Sequence, residues 1–170
     1  MSCYFPVCVW AGGQALARHL LDHPDVIAGR PVVDLATGSG LVALAAVIAG
    51  ATEVTAYDVD DLAVAAARLN ARLNRLRVRV DAADVRDVVV PPGSLVTVGD
   101  VFYDEKLAAL MLPALRRIAD SGCEVLVGDP HRAYLPRHSL QPLASYEVDV
   151  ETDIEDAPVK PAVVARVVTG

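Results

Sequence analysis

Val32-Val33-Asp34-Leu35-Ala36-Thr37-Gly38-Ser39-Gly40-Leu41 decides the fold. An apolar run ends on a carboxylate, passes through a glycine turn and enters an alanine-rich segment with helical spacing. That order is strand, tight loop, helix. Gly38 and Gly40 let the backbone turn sharply and approach a bound group closely. Glu53 to Asp58 reads as the next strand, and the interval 58 − 34 = 24 sets a second carboxylate at a strand tip. A carboxylate there can accept both hydroxyls of a ribose. The pattern points to a cofactor of the adenosine type.

Outward from this unit, apolar runs alternate with helical patterns, which predicts a parallel α/β sheet. Gln14 to Leu21 reads as a first helix, stopped before Pro24. Strand one spans Pro31 to Leu35, and a helix from about Gly40 to Ala49 is ended by Gly50. Asp60 is a good N-cap for a third helix. Its Leu62, Ala66, Leu69, Leu73 and Leu76, spaced by three and four, predict the buried face. Arg77 to Asp81 reads as a short strand, Leu95 to Gly99 as a fourth and Glu124 to Gly128 as a fifth. Between the last two, Asp104 caps a helix that Pro113 kinks or divides. Two final strands, about Ser145 to Glu151 and Ala162 to Val168, leave no room for a helix and so pair antiparallel.

Five parallel strands plus such a pair make the seven-stranded sheet of class I methyltransferases, a Rossmann-like α/β fold with helices on both faces. We expect one domain over residues 1–170, with 1–28 a helical lead-in and 29–170 the core. The 170 residues suffice for a real core. No apolar run approaches the roughly 18 residues of a membrane span. A basic segment followed by an apolar stretch, the mark of a secretory signal, is absent from the start.

Three cysteines without CxxC spacing argue against a disulfide framework or zinc site, and a reduced cytoplasm is the expected setting. His131 and His138 lack metal-ligand spacing, so no metal is expected. The net charge of −7 argues against a general grip on nucleic acid. Part of that charge lies on Glu147, Asp149, Glu151 and Asp153, which alternate with Tyr146, Val148, Val150 and Thr152 as one acidic strand face.

Gly38-x-Gly40-x-x-Ala43 also fits the dinucleotide fingerprint, so NAD is a rival. Three features favour S-adenosylmethionine. Asp34 stands where the methyltransferase D-x-G-x-G pattern puts an acid that reaches the methionine amino group. Asp84 follows strand three, where the adenine amine needs an acceptor. The paired C-terminal strands depart from an all-parallel dinucleotide sheet. The bland alternative, that these acids cap loops, is strongest for Asp84, with which Asp81 and Asp87 compete.

Four longer motifs recur in order: Trp10-Ala11-Gly12-Gly13-Gln14-Ala15-Leu16, Leu73-Asn74-Arg75-Leu76, Gly99-Asp100-Val101-Phe102-Tyr103-Asp104-Glu105 and Val127-Gly128-Asp129-Pro130-His131-Arg132. Together they resemble the electron transfer flavoprotein β-subunit lysine methyltransferases, over essentially the whole chain. The resemblance implies an enzyme that uses S-adenosylmethionine, with a protein lysine as acceptor and the flavoprotein β-subunit as partner. It extends to bacterial proteins described as nicotinamide N-methylase-like, so a small amine is the alternative acceptor. A cofactor-binding interaction module without turnover is the non-enzyme alternative.

By the same resemblance, Trp10 and Gly13 lie over the cofactor. Asp34, Gly38 and Gly40 form its loop, and Asp58 is the ribose acid. Asp100-x-x-Tyr103 and Asp129-Pro130-His131-Arg132 are active-site motifs. The chain departs from the pattern at Ala36, usually Gly, and at Pro6, near which relatives carry a further Trp; relatives also begin several tens of residues earlier.

A lysine acceptor starts as an ammonium with pKa about 10.4 and must lose a proton before attack. Asp100 and Asp129, at the carboxyl ends of adjacent strands, are placed to hold the ammonium, with Tyr103 and Phe102 walling off solvent. Arg132 is expected to pair with Asp129. Asp104 and Glu105 belong to the start of the helix.

Overall fold

The computed structural model describes residues 8–27, 29–150 and 158–168. The strands are β1 (Val32–Leu35), β2 (Val54–Asp58), β3 (Arg79–Ala82), β4 (Leu95–Gly99), β5 (Glu124–Asp129), β6 (Leu140–Asp149) and β7 (Val159–Val167). The helices are α1 (Ala11–Asp22), α2 (Leu41–Ile48), α3 (Asp61–Leu73) and α4 (Glu105–Asp120). All seven strands form one sheet in the order β3-β2-β1-β4-β5-β7-β6. β1 to β5 pair parallel, and β7 runs antiparallel to both β5 and β6. The expected C-terminal pair is therefore present. Residues 151–157 lie outside the described residues, so the acidic strand face is seen only as far as Asp149.

Strand order reverses between β1 and β4, and a crevice opens where connections leave in opposite directions at the carboxyl ends of two neighbouring parallel strands. Asp34 and Asp100 sit at those two ends. Period-two alternation covers both faces. Val32, Leu95 and Leu126 pack with α1, α2 and α3, while Val33, Val96, Val125 and Val127 pack with α4. Pro113 lies inside α4 without dividing it. Asp60 and Asp104 cap their helices as expected, accepting from Leu62 N at 2.8 Å and Leu107 N at 3.0 Å.

The expected leucine face of α3 is wrong. Leu62, Leu69 and Leu73 are 57%, 49% and 71% exposed, and Ala63, Val64, Ala67 and Ala71 are buried instead. The reason is proximity to the glycine loop. Gly40 has φ 84°, and a Cβ there would stand 3.0 Å from the Ala67 Cβ. Only an alanine-rich face lets α3 lie this close, so the leucines turn outward.

The amino end of α1 is seated equally closely. A Cβ on Gly12 or on Gly128 would collide with the backbone oxygen of the other. This junction presses the first turn of α1 onto the ends of β4 and β5 and carries Trp10 over the crevice. Gly128→Ala has no flexible neighbour to displace. It is expected to cost about 3 kcal/mol, the upper part of the overpacking range, or a Tm drop of roughly 6–12 °C by calorimetry. An unchanged Tm would show that the junction has slack.

Candidate functional site

The glycine loop is held by carboxylates on either side. Asp34 is fully buried, and both its oxygens are engaged: Oδ2 accepts from Thr37 Oγ1 at 2.5 Å and Oδ1 from Thr97 Oγ1 at 2.7 Å. Burial pushes its pKa up to about 6 against the pull of the two hydroxyls. Asp34 borders the crevice but acts first as the brace of the turn. Thr97, a hydroxyl inside an apolar strand, is the partner that local pattern does not reveal. Asp58 Oδ2 accepts from Gly38 N at 2.9 Å and Oδ1 from Asp60 N at 3.0 Å. Each carboxylate oxygen retains a second lone pair.

Asp58 and Asp84 border a hollow of about 140 Å³ whose other walls include Val59, Leu107, Leu110 and Met111. Flat apolar walls with an acid at each end suit a nucleoside. Asp84 borders this hollow, while Asp81 pairs with Arg79 on the outer strand. Its side-chain and backbone hydrogen bonds from Arg86 hold the Asp84 pKa down at about 2. Across Ala36 the hollow adjoins a narrower one of about 50 Å³ bordered by Trp10, Gly13, Gly38 and Asp100. A third, about 110 Å³, is enclosed by Trp10, Asp100, Tyr103 and Arg132.

Asp100 borders the last two of these hollows. Trp10 stands at the N-cap of α1 and its side chain makes no capping bond; Asp100 Oδ2 supplies the acceptor to Gly12 N at 3.1 Å. A carboxylate at a helix amino end is also favoured by the helix dipole. Asp100 Oδ1 accepts from Arg132 Nε at 2.7 Å. The expected Asp129–Arg132 side-chain pair is thus replaced. Asp129 Oδ1 accepts the Arg132 backbone N–H at 2.7 Å, while the guanidinium pairs with Asp100. Asp129 Oδ2 is buried without a partner among the described residues. Burial pushes its pKa up to about 6, the Arg132 N–H opposing and Asp100 adding to the rise. Tyr103 is 43% exposed at the mouth, whereas Phe102 is fully buried core and walls nothing off.

Ala36, Asp100 and His131 have φ of 52°, 57° and 63°. Such backbone costs on the order of 1–3 kcal/mol per residue and collects where a surrounding site holds it. The left-handed turn at position 36 explains why glycine suits it.

The raised acids carry a linkage. Asp34 and Asp129 hold protons between about pH 4 and pH 6 that the unfolded chain has released. The stability they contribute is full below about pH 4 and lost as pH rises through about 6. Asp129→Asn keeps the shape without the titration. It should raise Tm more at about pH 7.5 than at about pH 5, and an equal effect at both would contradict the linkage.

A wide concavity of about 730 Å³ lies at the amino ends of β2 and β3 among Arg68, Arg72, Arg77 and Arg79, away from the glycine loop. Among the described residues no group of three or more potential ligands is placed to hold a metal. No helix there is long and apolar enough to cross a membrane. Cys123 is a buried free thiol, while Cys8 is disulfide-bonded, which cysteine spacing did not suggest.

The profile of the family "Ribosomal protein L11 methyltransferase (PrmA)" matches residues 15–122. The chain belongs to this family. It is 43% identical over 153 residues to the electron transfer flavoprotein beta subunit lysine methyltransferase of Xenopus laevis, covering 86% of this chain and 62% of that protein. With the Homo sapiens protein of the same name it shares 41% over 134 residues, covering 78% and 51%. The chain therefore spans about half to three fifths of the length of these curated relatives. The solved ribosomal protein L11 methylase of Lactobacillus delbrueckii subsp. bulgaricus has the same fold, with TM-score 0.61 and 20% identity over 92% of this chain and 79% of that one.

The residues of this methyltransferase domain fit S-adenosylmethionine. Asp58 and Asp84 would hold its nucleoside along the apolar hollow they border, and the narrow hollow beside Gly38 and Gly13 would take its methionine part.

Proposed function

We propose that this chain transfers a methyl group from S-adenosylmethionine to the side-chain nitrogen of a lysine on a protein. The β-subunit of electron transfer flavoprotein is the first candidate, supported by the names of the relatives above. One observation carries the reading: the nucleoside-sized hollow runs through the glycine loop into a mouth built from an aromatic ring, a carboxylate and a tyrosine. The bound donor supplies an already electrophilic methyl group, so alignment contributes most of the acceleration.

The chain's own groups do the aligning. Asp100 and Asp129 make the mouth negative and draw a cationic side chain inward. Tyr103 and Trp10 flank it and exclude water, and the ammonium proton leaves to solvent at the open side. Asp58 and Asp84 hold the donor's far end.

The test is labelled methyl transfer into flavoprotein β-subunit, other protein fractions and nicotinamide, with mass spectrometry of the product. Label on a lysine side chain of the β-subunit is expected. Label on nicotinamide with every protein blank would replace this reading with the small-amine alternative. No label on any acceptor, with the donor still bound, would leave a cofactor-binding module.

A further inference from the structure

The mouth of the crevice contains a cation of its own. Arg132 leaves the loop after β5, where its backbone N–H is fixed on Asp129 Oδ1 at 2.7 Å. Its Nε donates to Asp100 Oδ1 at 2.7 Å, and its guanidinium carbon lies 5.6 Å from the centre of the Trp10 ring. With Tyr103 these residues enclose the outermost hollow. An aromatic face and a carboxylate are the partners that a cationic side chain seeks, one through the ring quadrupole and the other through charge.

We propose that Trp10, Asp100 and Tyr103 form the receiving site for the acceptor's cationic side chain, and that Arg132 fills it as an internal stand-in which the acceptor displaces. The identity of that acceptor rests on the methyl-transfer reading; the existence of the site does not. The Arg132 side chain is 22% exposed and that of Asp100 only 3%. The guanidinium reaches the site on a long side chain with several rotatable bonds, whereas the carboxylate is fixed by its position and by Gly12 N. The exchange replaces one cation by another, so Asp100 is never left as a buried, unpaired charge.

Two properties follow. The apparent affinity for any acceptor is reduced by the fraction of molecules in which Arg132 is in place. The Asp100 charge favours a cationic side chain over a neutral one at the moment of exchange. The site thereby selects cationic side chains before any chemistry. A plain bracing role for Arg132 gives the opposite expectation, since removing a brace loosens the mouth and weakens binding.

Trp10 is the chain's one tryptophan, so its fluorescence reports the site directly. The full chain is titrated with n-butylammonium chloride, and with n-butanol as the neutral comparator, in the absence of any methyl donor. Arg132→Ala and Arg132→Gln should bind butylammonium about tenfold more tightly than wild type, with butanol unchanged. Adding Asp100→Asn should cancel the gain. Folded variants that bind butylammonium no better than wild type, or no better than butanol, overturn the proposal. In wild type, the Arg132 Nε–H resonance should shift as butylammonium binds. A resonance that stays in place through saturation overturns the proposal even if neither variant folds. Because no turnover is measured, a chain that methylates nothing can still pass this test, and an active methyltransferase can still fail it.

Discussion

Asp100→Asn is expected to lower methyl transfer by on the order of 10²-fold or more while the cofactor binds within about tenfold of wild type. Asparagine keeps the size of the side chain and an oxygen for Gly12 N, but it removes the charge that meets Arg132 or an incoming ammonium. Asp58 and Asp84, proposed to hold the cofactor, lie on other elements, so binding should survive. Steady-state transfer, calorimetric binding and a thermal melt on the same preparation separate these effects. Unchanged transfer would reduce Asp100 to the distant cap of α1. A collapse of the melt alongside transfer would instead make the capping bond the dominant role.

Asp58→Ala should produce the second large effect, this time on binding. It removes the acid proposed to hold the ribose and the acceptor that holds Gly38 N at 2.9 Å. Hydrogen bonds to a charged group contribute about 1.5–3 kcal/mol, which corresponds to a loss of roughly 10- to 150-fold in affinity. Asp58→Asn should recover part of the loss by keeping an acceptor for the loop. Equal affinities in all three proteins, measured by calorimetry with the demethylated cofactor product, would remove Asp58 from the cofactor site.

The framework was legible because its signals are local. Asp60 and Asp104 announce their helices within three residues, and the glycine turn fixes where β1 ends. The buried face of α3 was not legible in this way. Leucines and alanines there both repeat at helical spacing, and the distance from α3 to Gly40 chose the alanines. Asp100 was identified at the mouth, but its partners were not. Gly12 is 88 residues away and Arg132 is 32 away. Thr97 escaped for the same reason, its bond to Asp34 spanning 63 positions. Phe102 and Tyr103 are neighbours with opposite fates, because one turns into the α4 core and the other to the mouth. Sequence patterns identified the carboxylates; the close seating of α1 through Gly12 and Gly128 brought Gly12 N to Asp100.

The most direct test of the account is a calorimetric titration of the wild-type chain with S-adenosylmethionine, its demethylated product and NAD. The carboxyl edge of the sheet carries Asp58, an apolar hollow proposed for one nucleoside and a narrow hollow that reaches Asp100. It should therefore bind both sulfur compounds and leave NAD without measurable heat. Tight binding of NAD with no response to either sulfur compound would contradict the account.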